Sequence, residues 1–416
     1  MKKLIIALCT LVIVVSSLPA ITTGKSIFFS DSYMLRARGV EAAYWNPANL
    51  IPSCYIDMWL PGLNTGVYVA NNSLDLETYN FIVSKDYLSD KDKTMLLSKI
   101  KHSLKASFNG NTSIAGFTLD NISLSSSVSF MGQASVSKKY LELALYGNTD
   151  SLYAFDKTEN DANMLCFTDF TFGAGNFIVP LLPDHYPEIR AGFSASILAG
   201  IGSADVDNFN GYFSSGWDGI TMHQDLKVRS GIGGYGFKGM LGLATNPMPE
   251  LELGLTLDNL FGFINWDLIT EQRSLHIVAD SLYLANIGED FYSETHETID
   301  INAFSIELPP ELRLGSMWRG KEFNVSADYV QGFKNSVLTS SIGRFALGAE
   351  LMPFPFIKVS LGLGLGNSNY PWRTSYGIGF NSKTAEIGVS VQSMETLIPG
   401  AKSKGIAIGS FIRLWI

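Results

Sequence analysis

An all-β fold, a transmembrane antiparallel β-barrel carrying short helices, is what this sequence predicts, and three observations predict it. The first is alternation. Within Phe356–Gly366, residues Ile357, Val359, Leu361, Leu363 and Leu365 fall on one face, and Lys358, Ser360, Gly362, Gly364 and Gly366 on the other, because successive side chains of a strand point to opposite faces. The rhythm returns in Trp372–Asn381, in Ala385–Gln392 and from Ile406 to Ile416. The second is composition. The 416 residues are 46% hydrophobic and 17% charged, whereas a soluble domain carries about 25% charged residues. The third is that no stretch after the N-terminus reaches the ~18–20 unbroken apolar residues of a membrane helix. Apolar content that is high but dispersed by alternation suits a sheet with lipid on one side and water or a packed interior on the other.

Taken in order, residues 1–20 read as a signal peptide. Lys2 and Lys3 precede an apolar core from Leu4 to Val15, and Ser16, Ser17 and Ala20 supply small residues. Cleavage is expected after Ala20, with Gly24 the second choice. Residues 21–53 precede the first strand, and a short helix is expected to end before Pro47, since the residue before proline avoids helical geometry. The barrel is assigned to 54–416, with a first hairpin turning at Pro61-Gly62. Ser89-Asp-Lys-Asp92 is a capping box that opens a helix through Ile100. A second helix spans Lys138–Tyr146 and stops at Gly147. Further strands are expected at 103–109, 113–119, 122–131, 164–175, 187–200, 220–230, 234–246 and 250–261. Phe261, Phe263 and Trp266 are candidates for an interfacial aromatic girdle. Residues 267–306 break the rhythm and are acidic. They are expected as the largest extracellular loop, with a hairpin of its own near Leu275–Ala285. Alternation resumes at 311 and continues to the C-terminus.

The formal charge of −9 gives no basic footprint for nucleic acid. Cleavage would leave Cys54 and Cys166, too few for a disulfide framework. No Cys/His cluster has zinc spacing. The five histidines stand apart in sequence, outside any catalytic signature. No enzyme activity, metal or cofactor is expected.

Three phrases carry a family resemblance. Gly39-Val-Glu-Ala-Ala-Tyr-Trp-Asn-Pro-Ala-Asn-Leu50 resembles the N-terminal segment of FadL-type and PorV-type outer-membrane barrels, with Asn46, Pro47 and Ala48 matching the motif. Asn259–Trp266 and Leu308-Pro-Pro-Glu-Leu-Arg-Leu-Gly315 are similar to phrases of the same group. The resemblance implies fourteen barrel strands, with sixteen the fallback, and a small plug formed by 21–53 inside the barrel. It also implies export to the outer membrane of a Gram-negative-type envelope. Outer-membrane lipid, the barrel assembly machinery and a hydrophobic small-molecule cargo would be its partners. One departure is that the chain ends on Ile416 where such barrels end on an aromatic residue.

With apolar rows facing lipid, the alternate rows point inward. They carry Arg190, Lys238, Glu252, Asp258, Arg313, Asp328, Glu350, Lys358, Arg373, Glu386 and Arg413. These form either a polar conduit or a set of mutual ion pairs filling the interior. For a fatty-acid cargo, Phe28, Phe29, Tyr44 and Trp45 are the candidate contacts for an acyl chain, and an inward Arg373 or Lys358 would hold its carboxylate. The competing functions are a PorV-like docking barrel for secretion components, a structural outer-membrane protein without transport, and a soluble secreted β protein.

Overall fold

The computed structural model describes residues 23–51, 56–147, 152–180, 187–216, 219–282, 292–366 and 370–415. Residues 1–22, which include the expected signal peptide 1–20, lie outside the described residues, as do Cys54, His185 and Ile416. Eighteen strand segments form one antiparallel sheet. They occupy fourteen positions around a closed ring. β1 (Ile56–Trp59) and β2 (Thr65–Asn71) both lie between β18 (Gly405–Trp415) and β3 (Ser103–Leu119). Pro61-Gly62 is thus not a hairpin turn but a jog within one strand position. β5 (Tyr153–Asp156) and β6 (Asp161–Ile178) share a place beside β7 (Ile189–Gly216). β10 (Tyr292–Asp300), β11 (Phe304–Leu308) and β12 (Glu311–Arg319) share one beside β9 (Leu251–Leu282). β4 (Ile122–Ser137), β8 (Gly219–Met248), β13 (Phe323–Gly332), β14 (Arg344–Phe354), β15 (Ile357–Leu365), β16 (Trp372–Asn381) and β17 (Ala385–Met394) complete the ring.

The alternation sets the faces. Leu361, Leu363, Ile378, Ile387, Val389, Ile406 and Ile408 are exposed on the outer face, while Ser360, Ser375, Glu386, Ser390 and Gln392 are buried on the inner one. β14 to β18 run 9 to 11 residues, the length a tilted strand needs to cross a bilayer. Exposed Trp318, Phe323, Phe354, Phe356 and Phe380 line the tight-turn end of the barrel along β12 to β16, as part of an aromatic girdle at a membrane interface would.

Residues 23–51 lie inside the ring. Ser26–Phe29 packs on β14 to β18, Gly39–Glu41 on β1, β3 and β4, and Pro47–Asn49 on β6, β7 and β8. The helical turn α1 (Ala42–Trp45) ends at Asn46, just before Pro47. Inward glycines make room for this segment. A Cβ at Gly362 would lie 2.5 Å from the Phe29 carbonyl carbon and 2.6 Å from the Ser30 nitrogen, and one at Gly192 would lie 2.3 Å from the Pro47 carbonyl carbon. Gly362→Val is expected to cost ~1–3 kcal/mol by overpacking. It should lower the temperature of the gel-mobility shift and speed proteolysis within 23–51. Gly379→Ala, whose Cβ would meet nothing closer than 3.5 Å, should leave both unchanged.

Three helices sit on the outer face of one rim. α2 (Leu76–Ser84), α3 (Asp90–Lys99) and α4 (Lys138–Tyr146) cover Leu104 and Ala106 of β3, burying them with Leu74, Ile82, Leu96, Leu97 and Leu145. Both halves of the Ser89/Asp92 capping box form. Bonds from Lys85 and Ser89 hold the Asp92 carboxyl down to a pKa of about 2. Gly147 ends α4 at φ 74°. α2 has no counterpart in the sequence reading. Its Tyr79-Asn-Phe-Ile-Val83 run consists of mediocre helix formers, and packing on the wall decides its conformation.

Residues 267–306 are largely strand rather than loop. β9 continues to Leu282, and β10 pairs with it from Glu271 to Ala279. β7, β8 and β9 reach 28, 30 and 32 residues, well past the ~9–11 of a bilayer crossing. Above the bilayer both faces meet water, so alternation has no cause and the strand leaves no mark in the sequence.

Candidate functional site

The interior is organised by ion pairs, some within the wall and some between the wall and residues 23–51. Glu252 accepts from Arg38 at 2.8 Å, from Arg190 at 2.8 Å and from Arg319 at 2.7 Å, with its side chain 2% exposed. Arg313 donates to Glu311 at 2.9 Å and to Asp258 at 3.2 Å, and Arg344 closes on the other oxygen of Glu311. Glu386 is shared by Lys25 at 2.5 Å and Lys358 at 2.8 Å. Arg413 binds Asp57, and Asp328 accepts the Met34 backbone N–H at 2.9 Å. A buried charge survives only when paired and hydrogen-bonded. Those that reach Lys25, Met34 and Arg38 tie the inner segment to the wall, and the others brace the wall itself. Of the two readings of the inward charges, the arrangement is that of mutual pairing.

The residues singled out as candidate cargo contacts are all within this packed region. Phe28 meets Phe411 edge to face at 5.1 Å, and Phe29 stacks on Tyr33 at 6.1 Å beneath the Arg36 guanidinium. Tyr44 stacks on Trp59 at 5.6 Å and donates to Asp169 at 2.6 Å. Trp45 meets Tyr33 edge to face at 5.3 Å, with Arg313 over its ring at 5.0 Å. Arg373 donates to Asp31 at 2.8 Å and to the Ser30 carbonyl at 3.0 Å. Lys358 is engaged by Glu386. Asn46 caps the turn at Pro47 by accepting from the Ala48 N–H at 3.1 Å, and it donates to the Leu243 carbonyl at 3.1 Å. Pro47 and Ala48 are buried. Beside Trp45, Arg313 and Arg373 remains a recess of about 20 Å³, room for about one water.

A second, apolar zone lies between this segment and the rim with the long strands. Met131, Leu165, Phe167, Leu198, Ile264, Trp266 and Leu308 turn inward and form one buried cluster. The connection between β13 and β14 folds over it and inserts Val337 and Leu338. That connection is internally braced, with Ser336 N–H donating to the Thr339 carbonyl at 2.9 Å and Gly332 N–H to the Ser340 carbonyl at 3.1 Å. The indole N–H of Trp266 has no hydrogen-bond partner among the described residues. The aromatics grouped as a girdle thus separate: Phe261 and Phe263 are exposed outward, and Trp266 is fully buried inward. The signal was present. Glu252, Thr256 and Asp258 face inward, and the same period of two, carried on, brings Ile264 and Trp266 inward as well. Val337 and Leu338 carry no such signal, because they belong to a connection whose path depends on the ring being closed.

Among histidines, His223 and His276 come together edge to face at 4.9 Å on the projecting strands. Among the described residues no group of three metal-ligating side chains could hold an ion.

This is the fold of a fourteen-stranded outer-membrane β-barrel with an occupied interior. Solved structures agree. The toluene transporter TodX of P. putida superposes with a TM-score of 0.51 at 11% identity, covering 96% of this chain and 97% of that one. A FadL homologue of Pseudomonas aeruginosa gives 0.51 at 10% identity, over 96% and 99%. At such identity the likeness concerns the fold. No protein-family model matches the sequence, and no curated protein matches it.

Proposed function

We propose that the protein is an outer-membrane channel through which hydrophobic small molecules, long-chain fatty acids among them, pass inward by diffusion. The observation that carries this reading is the apolar cluster around Phe167, Ile264 and Trp266 inside an otherwise polar barrel. An interior built only for ion pairing has no use for it, whereas a cargo with low water solubility does. The unpartnered Trp266 indole N–H offers such a cargo one polar contact. In this arrangement the route is shut twice, by Val337 and Leu338 above and by residues 23–51 below. Cargo would displace the first and then meet Phe28, Phe29, Tyr44 and Trp45 as the inner segment shifts, with Arg373 or Lys358 as partner for a carboxylate. The neighbours named for toluene and for FadL supply the fold analogy for cargo class.

The test is uptake of labelled oleic acid and of toluene by liposomes containing the folded barrel. Replacing Val337 and Leu338 together by Ser removes apolar anchors worth ~1.5–3 kcal/mol each, and uptake should rise several-fold. Uptake no faster than in empty liposomes, with a stoichiometric protein partner in detergent extracts, would instead favour the docking reading.

A further inference from the structure

A large apolar pocket lies outside the barrel wall. It measures about 650 Å³, within the ~300–1,000 Å³ range of sites for small ligands. Its floor is the outer face of β2 and β18, where Val69 and Ile406 point away from the lumen. Tyr68, Ala70 and Ala407, alternating with them, are buried inside. Its walls are the start of α2, with Leu76 and Tyr79, and the connection to β18, with Pro399. Two backbone bonds close it at the top: Leu76 N–H to the Ser403 carbonyl at 3.3 Å, and Glu77 N–H to the Ala401 carbonyl at 2.7 Å.

Two further observations say what fills it. The polar groups at its upper edge are already satisfied. Asn71 donates to the Leu74 carbonyl at 2.7 Å and to the Lys404 carbonyl at 3.1 Å, Lys404 pairs with Glu395 at 2.9 Å, and Asp75 pairs with Lys99 at 2.8 Å. Nothing there asks for a polar ligand. Below, the pocket runs directly into the lipid-facing belt, since the next outward pair is Val67 opposite Ile408, both exposed. Around it, Leu76, Phe81, Leu397 and Ile398 are exposed. So many large apolar side chains at a rim are a liability in water but favourable at a membrane interface.

We propose that this pocket binds one acyl chain of an outer-leaflet membrane lipid, with α2 and the 395–404 connection resting at head-group level. The lipid fastens the helical cap to the seam where the first and last strands close the ring. The inference rests on the bilayer placement of the barrel, and it is distinct from the cargo route, which lies on the other side of the wall.

The experiment reconstitutes the full chain in vesicles of dioleoyl-phosphatidylglycerol, extracts it in mild detergent and weighs the intact complexes by native mass spectrometry. The expected result is one phospholipid retained per barrel. Val69→Trp, which fills the floor, should lower retention about tenfold. Leu76→Asp, which charges the pocket without touching the wall, should do the same. Val389→Trp, on the lipid face away from the pocket, should retain lipid as the unmodified chain does. No retained phospholipid, retention in both pocket variants equal to that of the unmodified chain, or preferential retention of added oleic acid over phospholipid would each overturn the proposal. Failure of the bilayer reading itself is seen separately, as a chain that never acquires heat-modifiable migration in vesicles.

Discussion

Val389→Arg should abolish assembly into vesicles, and Leu361→Arg should do the same. Both side chains are about half exposed on the outer face of strands only as long as a bilayer crossing, Val389 at 56% and Leu361 at 45%. A lipid-facing arginine near mid-depth costs ~2–4 kcal/mol, a large part of a typical folding free energy of ~5–15 kcal/mol. The measurement is the fraction of chain that migrates as the compact, heat-modifiable species. Tyr212→Arg is the contrasting change. Tyr212 is also exposed and lies on the projecting part of β7, opposite His223, where the outer face meets water and assembly should proceed normally. Equal yields for all three variants would remove lipid from the description. Alternation alone would make Ser390 the permissive control, because it points inward. The closed ring disallows that choice: Ser390 is buried, and its hydroxyl donates to the Gly24 carbonyl at 3.2 Å.

Glu252→Gln should loosen the inner segment without unfolding the barrel. One carboxylate is shared by Arg38 of that segment and by both Arg190 and Arg319 of the wall. Neutralising it leaves three guanidinium groups close together with their common partner gone. Breaking a buried ion pair from one side costs ~3–5 kcal/mol, because the remaining charge stays buried. The penalty falls on the side that can move, residues 23–51, since the wall strands are held by continuous ladders. Two readouts should change together. Protease should cut within 23–51, and conductance in planar bilayers should rise above that of the unmodified barrel. If cleavage and conductance both stay at their original level, the ion pairs do not hold the segment in place.

The two variants probe different layers of information. The outer face was legible because lipid imposes one rule on every residue that touches it. A strand with apolar Leu253, Leu255 and Leu257 against Glu252, Gly254, Thr256 and Asp258 has one orientation compatible with that rule. The capping box at Ser89 and the glycine stop at Gly147 were legible for a similar reason, since each is decided within a few residues. Strand continuity was not. β3 carries a register shift between Ser113 and Ala115, β7 between Val206 and Asn208, and the β8–β9 ladder between Ile232 and Gly234. An extra residue interrupts the period of two: β8 reads as two strands, 220–230 and 234–246, and of β7 only 187–200 is legible.

What the sequence determined by itself is the barrel: alternation names the lipid face, and the solvent on that face is uniform, so local pattern suffices. The partners of the inward charges, the enclosure of Phe28, Phe29, Tyr44 and Trp45, and the seating of Val337 and Leu338 on the apolar cluster were decided by the tertiary structure. Each joins residues far apart in the chain, such as Arg38 with Glu252 or Lys25 with Glu386. Such contacts exist only once the ring has closed around its own N-terminal segment, and no local periodicity encodes which two distant side chains will then face one another.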